Sequence, residues 1–229
     1  TVKMTLLPKL LYLFYALPIT VPKAFFRELK TAILRYIWRG ASARVSYRTL
    51  SQTKEDGGWG LPDVLSYYRA AQLRIVVDWS TRETQKPWVH MDRAVAGHAL
   101  WDLVWLKREH RAANVYLSTP TATTLHTWDT VDVTCRLTTY PSPYTPIHLN
   151  PDFAPGMDHV SFGVWYRGDC LMIRDMFSNG EVLSFPDCRQ RFGVPERERF
   201  HYLQIRHWVM QRDNQEAAVR GLLPFERWI

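Results

Sequence analysis

Between Pro22 and Gly40 the chain repeats apolar residues every three or four positions: Phe25, Phe26, Leu29, Ile33, Tyr36 and Ile37. That spacing predicts an amphipathic helix, because residues on one helical face recur about every 3.6 positions. Lys23, Arg27 and Lys30 recur at the same spacing on another face, with Arg35 and Arg39 further round. Such a helix has to bury one side and leaves the other cationic. Pro22 suits the first turn of the helix, and Gly40 suits its stop.

The preceding segment extends the pattern. Leu6, Leu7, Leu10, Leu11 and Phe14 predict a first helix over residues 3–17, ended by Pro18. Across residues 1–48 nine cations (Lys3, Lys9, Lys23, Arg27, Lys30, Arg35, Arg39, Arg44 and Arg48) face one acid, Glu28, a surplus of eight. The whole chain carries +7, so residues 49–229 sum to about −1. A basic block on an apolar scaffold favours an acidic partner: nucleic acid first, anionic lipid second.

Beyond this block the expected fold class is mainly α: a multi-helix basic domain, then a Pro/Thr-rich linker, then a small domain of short helices. Residues 40–62 read as a basic connector ending in Gly57-Gly58-Trp59-Gly60-Leu61-Pro62, a tight turn. Asp63 is placed to cap a third helix over 63–79, and a fourth is expected over 92–109. Pro120, Pro141, Pro143, Pro146, Pro151 and Pro155 mark residues 118–158 as a connecting region with one short helix near Thr124 to Arg136. Short helices are expected over 169–178, 185–192 and 196–212, separated by Asn179-Gly180 and Gly193-Pro195. The expected domains are therefore 1–117, 118–158 and 159–229.

Composition excludes several classes. Hydrophobic residues at 46% and charged residues at 22% are globular values. Cys135, Cys170 and Cys188 are odd in number, far apart and lack a CxxC, so a disulfide framework is not expected and a reducing, intracellular compartment fits, cytoplasmic or nuclear. No zinc-ligand spacing joins them to His201 or His207. The run Leu10–Leu17 follows Lys9 and is bracketed by Pro8 and Pro18, with no small-x-small cleavage site, so it reads as a buried helix rather than a signal peptide. It is also too short to span a bilayer. The chain opens on Thr1 rather than Met and is read as a piece of a longer protein.

No catalytic constellation emerges. Glu55 with Asp56 and Glu196 with Glu198 read as solvated helix or loop acids, not ligands for paired metals. Asp158 beside His159 reads as a turn, and Cys188 beside Arg189 as an inert thiol rather than an activated one. GxSxG and HExxH are absent. Binding is what remains: cations at helical spacing beside Tyr12, Tyr15, Phe26, Tyr36, Trp38 and Tyr47 suit a phosphate backbone with some stacking.

Two stretches carry a resemblance. The first is KMTLLPKLLYLFYALPITVPKAFFRELKTAILRYIWRG, followed by Gly57-Gly58-Trp59-Gly60-Leu61-Pro62-Asp63 and by Tyr67, Tyr68 and Ala70. It resembles the segment just downstream of the catalytic palm in LINE-type non-LTR retrotransposon reverse transcriptases. The second, Ile173 to Val209, with Ser184-Phe185, Phe192-Gly193 and Tyr202-Leu203-Gln204-Ile205-Arg206-His207, resembles a later block of vertebrate LINE-type polyproteins. The resemblance implies a thumb and the helical region after it. The endonuclease and the palm, with its Mg²⁺-holding paired aspartates, have no counterpart in this sequence. It thus implies a non-catalytic, nucleic-acid-binding fragment that grips template-primer duplex, with no cofactor of its own.

The expected phosphate contacts are Lys9, Lys23, Arg27, Lys30, Arg35, Arg39, Arg44 and Arg48. The expected partners are RNA–DNA or DNA duplex, element RNA and the missing palm, with no membrane. Three alternatives stand beside this reading: a protein-interaction module, a retroelement relic without a present role, and a basic hairpin on a membrane surface.

Overall fold

A computed structural model describes residues 2–17, 19–80, 86–96, 100–111, 117–148, 150–153, 161–170 and 172–228. Pro18, Pro155 and the Asp158–His159 pair lie outside the described residues, as does the 97–99 portion of the expected fourth helix. The fold is mainly α. A π-helical turn, Val2–Leu6, leads into α1 (Leu7–Ala16), α2 (Lys23–Ile37), α3 (Tyr47–Ser51) and α4 (Val64–Ser80). There follow α5 (Pro87–Ala96), α6 (Leu100–Trp105), α7 (Arg108–Arg111), α8 (Thr119–Cys135) and α9 (Gly163–Arg167). A 3-10 turn, Ile173–Met176, opens the antiparallel hairpin β1 (Phe177–Ser178) and β2 (Glu181–Val182). The chain ends with α10 (Phe185–Phe192), a 3-10 turn (Glu196–Glu198), α11 (Arg199–Val209), α12 (Arg212–Val219) and α13 (Pro224–Trp228).

The chain divides into two compact units, neither of them continuous. One is Thr1–Thr81 with Ser118–Thr130; the other is Arg82–Leu117 with Val131–Ile229. This differs from the boundaries at 117 and 158 read from composition. The Thr/Pro-rich stretch is not simply a connector. It supplies α8, whose Thr121, Thr123, Thr124 and Thr127 are buried, and a buried run from Ser142 to His148.

The first unit is built on the apolar stripe of α2. Phe26 and Ile33 are buried against Phe14 of α1 and Val64, Tyr68 and Ala71 of α4. Phe14, Phe26 and Tyr68 form an aromatic trio, with ring centroids 5.1 Å apart for Phe14–Tyr68 and 5.5 Å for Phe26–Tyr68. Two polar side chains in this core find partners. Gln72 donates to the Phe14 carbonyl at 3.0 Å and accepts from Thr124 at 3.5 Å. The Tyr68 hydroxyl donates to Ile19 O and accepts from the Val21 N–H. Asp63 serves as the expected cap: it takes the Ser66 hydroxyl at 2.7 Å, and its carbonyl takes the Tyr67 N–H.

The second unit has its own core, including Phe153, Phe162, Trp165, Ile173, Met176, Phe185, Tyr202, Ile205 and Trp208. Its best-specified element is α10. Ser184 and Asp187 close a reciprocal capping box, and Gly193 ends the helix at φ 65°. The expected helix over 169–178 is replaced by the 3-10 turn and the hairpin. Asn179 and Gly180 take φ 52° and 84°, the left-handed pair that a two-residue hairpin turn demands.

Candidate nucleic-acid interface

Helical geometry sorts the cations of α2. At about 100° per residue, Lys23, Arg27 and Lys30 fall within a stripe about 60° wide, on the flank of the buried Phe26–Ile33 side. Arg35 lies about 120° round from Lys23 on the side of Glu28, so it belongs to a different face. Lys9 is exposed on the outer side of α1, away from buried Leu7 and Phe14.

Lys30 closes the stripe and fixes it to the rest of the unit. Its ammonium is 3.3 Å from Asp63 Oδ1 and 5.2 Å from the centroid of the Tyr47 ring. Tyr47 in turn donates its hydroxyl to Pro62 O at 2.7 Å. Burial, then the Asp63 carboxylate, push the Tyr47 phenol up to about 12, so it stays protonated and keeps donating. Burial alone would raise the Asp63 carboxyl, but the Ser66 hydroxyl and the Lys30 ammonium outweigh it and hold the group below its ordinary value. These contacts tie α2, α3 and the start of α4 together. They hold α3, which carries exposed Arg48, against α2 through Tyr47.

Lys23, Arg27, Arg35, Arg39, Arg44 and Arg48 are exposed, and among the described residues none has a carboxylate at ion-pair distance. Lys30 is the member of the expected set that is committed to an internal partner, and it is only partly exposed. The stripe on α2 is therefore two cations without a carboxylate partner among the described residues and one anchored cation.

Arg39 sits in an unusual place. α2 ends in a Schellman arrangement: the Gly40 N–H reaches Arg35 O at 2.8 Å and the Arg39 N–H reaches Tyr36 O at 3.3 Å. Arg39 occupies the left-handed position at φ 51°, where glycine is the usual residue, and Gly40 follows at φ 83°. An L-residue there costs about 1 kcal/mol, and glycine's extra freedom in the unfolded chain offsets roughly half of that. Arg39→Gly is thus expected to raise stability by about 0.5 kcal/mol while weakening duplex binding at low salt. Paired thermal melts and binding isotherms check it. Unchanged binding would remove Arg39 from the interface.

The remaining candidates for chemistry are occupied elsewhere. Burial, then the nearby Asp187, push the Cys188 thiol up to about 12, and Cys170 is held well above its ordinary value, first by burial. Arg189 pairs with Glu196 at 2.8 Å. Glu198 accepts from Trp165 Nε1 at 3.2 Å and lies 2.6 Å from His201 Nδ1. Asp56 takes the Thr53 hydroxyl. Among the described residues no group of three or more His, Cys, Asp or Glu is placed to hold a metal. No helix of the described residues is long and apolar enough to cross a membrane.

Two residues of the first unit were missed as site candidates. A Cβ on Gly60 would lie 3.1 Å from Lys3 Nζ, which places that ammonium at the glycine turn. Trp59, inside the turn, is 63% exposed. Neither signal is visible locally, because Lys3 and Gly60 meet only after α1, α2 and α4 have packed. No protein-family model matches the chain.

Proposed function

We propose that the first unit binds the sugar-phosphate backbone of duplex nucleic acid, as the thumb segment of a LINE-type reverse transcriptase would. The second unit is the helical region that follows such a thumb. The chain would act without catalysis of its own, the palm and its Mg²⁺ belonging to the parent polymerase. The observation that carries this reading is the stripe on α2: Lys23 and Arg27 exposed and, among the described residues, without a carboxylate partner, and Lys30 held by Asp63 and Tyr47. Cations held on a rigid helix face and left without carboxylate partners suit a polyanion, because a phosphate backbone supplies the missing countercharge.

The test is a salt series. Binding of a short RNA–DNA duplex, read by fluorescence anisotropy, should weaken linearly in log–log form, with a slope equivalent to about three to five displaced counterions. Absent or salt-insensitive binding ends the proposal.

One observation favours a second reading. α1 and the residues after it expose Tyr12, Leu13, Tyr15, Leu17 and Ile19, an apolar face on which Lys9 is exposed and Arg74 lies over the Tyr15 ring at 5.5 Å. Such a face suits protein docking, with the missing palm as the partner. Salt-insensitive association with a palm segment, without duplex binding, would select this reading over the first.

A further inference from the structure

We infer that Trp59 is a stacking platform for an unpaired nucleobase flanking the bound duplex. The inference rests on the nucleic-acid reading of the same unit and adds a ligand class to it. The indole is 63% exposed, yet the backbone beneath it is tied on both sides. The Trp59 N–H donates to Leu50 O at 3.1 Å, the Leu61 N–H to the same oxygen at 2.9 Å, and the Gly60 N–H to Gln52 O at 2.7 Å. Leu50 is itself buried in α3.

The flanking glycines are dictated by this construction. A Cβ on Gly58 would lie 2.2 Å from Gln52 O, and Gly60 has φ +59°. The turn therefore gives up side chains on either side to hold one large aromatic face on a fixed support in water. Burial does not account for a tryptophan at such a position, whereas a π-face awaiting a planar partner does.

The charge at the neighbouring residue selects the partner. Lys3 Nζ sits at Gly60, exposed and without a carboxylate partner among the described residues. Arg48 is exposed on α3, whose Leu50 holds the turn. The acids of the connector lie in the loop between Thr53 and Gly58, which the Gly58 N–H to Thr53 O bond closes at 2.8 Å. Asp56 is bound to Thr53 at 2.9 Å, and Glu55 is held low first by its own backbone N–H and then by the Thr53 hydroxyl. A cation at the residue that follows an exposed indole fits a nucleotide: phosphate on Lys3 and base on Trp59. The interior of a duplex offers no free base face, so the base must come from a single-stranded flank.

The test compares a blunt RNA–DNA duplex with the same duplex carrying a short single-stranded overhang, its first unpaired base being 2-aminopurine. The unaltered chain should bind the overhanging duplex about tenfold more tightly and quench the 2-aminopurine, in line with the usual worth of one base–aromatic stack. Trp59→Ala should abolish both the preference and the quench while leaving blunt-duplex affinity and its salt slope in place. Trp59→Phe should keep most of each. No overhang preference in the unaltered chain, or a preference that survives Trp59→Ala, overturns the inference and leaves the duplex reading standing. Equal loss on both duplexes also overturns it, because that marks damage to the turn. If the unaltered chain binds neither duplex, both readings fall.

Discussion

The variant carrying Lys23→Glu and Arg27→Glu is expected to bind duplex about a hundredfold more weakly at low salt, and to lose about two units of salt slope. Unit charges about 4 Å apart in water interact by about 1 kcal/mol. Two lost attractions and two new repulsions, reduced by screening, come to about 2.7 kcal/mol, which is that factor. Both side chains are exposed and, among the described residues, unpaired, so stability should stay within about 0.5 kcal/mol of the unaltered chain. Anisotropy titrations in a salt series, beside a urea melt, measure the two effects separately. A change below about threefold, with the slope intact, removes α2 from the interface.

Lys30 is left out of that variant on structural grounds. Reversing it would set a second carboxylate against Asp63 and strip the Tyr47 ring of its cation. The pair is more than a third exposed on each side, so its own worth is modest, below about 1 kcal/mol. Even so, a triple reversal would mix a local rearrangement of the α2–α3–α4 junction with the loss of phosphate contacts. Lys23 and Arg27 give the cleaner reading.

The buried side of α2 was legible because the helix is long enough for its period to show, and Phe26 and Ile33 keep that period at its centre; Phe25 and Tyr36, at the edge of the same stripe, are exposed. α10 was legible from its ends, since Ser184, Asp187 and Gly193 fix its start and stop locally. The short helices α3, α9, α12 and α13 span five to eight residues, too few for a period to register. They are held by tertiary packing rather than by their own pattern. Asn179-Gly180 suits a helix stop in isolation, yet here it is a hairpin turn, the other structure that this dipeptide favours.

Residues 118–158 misled through composition. Threonine and proline favour loops in isolation, yet the Thr130 hydroxyl returns to the His126 carbonyl within α8. At the candidate site the charges were legible, but their commitments were not. Lys30 finds Asp63, and Lys3 finds Gly60, only through the packing of α1 and α2 on α4. A linear sequence shows how many cations there are; the fold decides which of them stay free.

The largest expected loss of stability belongs to Glu226, in the second unit. Its carboxylate is fully buried and accepts from Arg220 at 2.6 and 2.8 Å, from the Ser142 hydroxyl at 2.7 Å and from the Leu223 N–H at 2.8 Å. Its carbonyl takes the Tyr144 hydroxyl at 3.1 Å, and the Tyr144 ring stacks on Trp105 with centroids 4.9 Å apart. This one residue therefore fastens α13 to the buried run after Ser142. Glu226→Ala should cost about 3–5 kcal/mol, since it strands a half-buried guanidinium and several donors. Replacing both partners, as Arg220→Met with Glu226→Leu, should recover most of that loss. Urea unfolding of the single and double variants measures it, and a loss under about 1 kcal/mol for Glu226→Ala would show that the pair is incidental. Acid should act in the same direction. Burial alone would raise the Glu226 carboxyl, but the bonds from Arg220, Ser142 and Leu223 hold it below the ordinary range. A group depressed in the folded state lends its full stability above the unfolded pKa and surrenders it as pH falls through the folded one. The loosening of α13 should thus appear only below the usual carboxylate range, and should be missing from the Arg220→Met, Glu226→Leu variant.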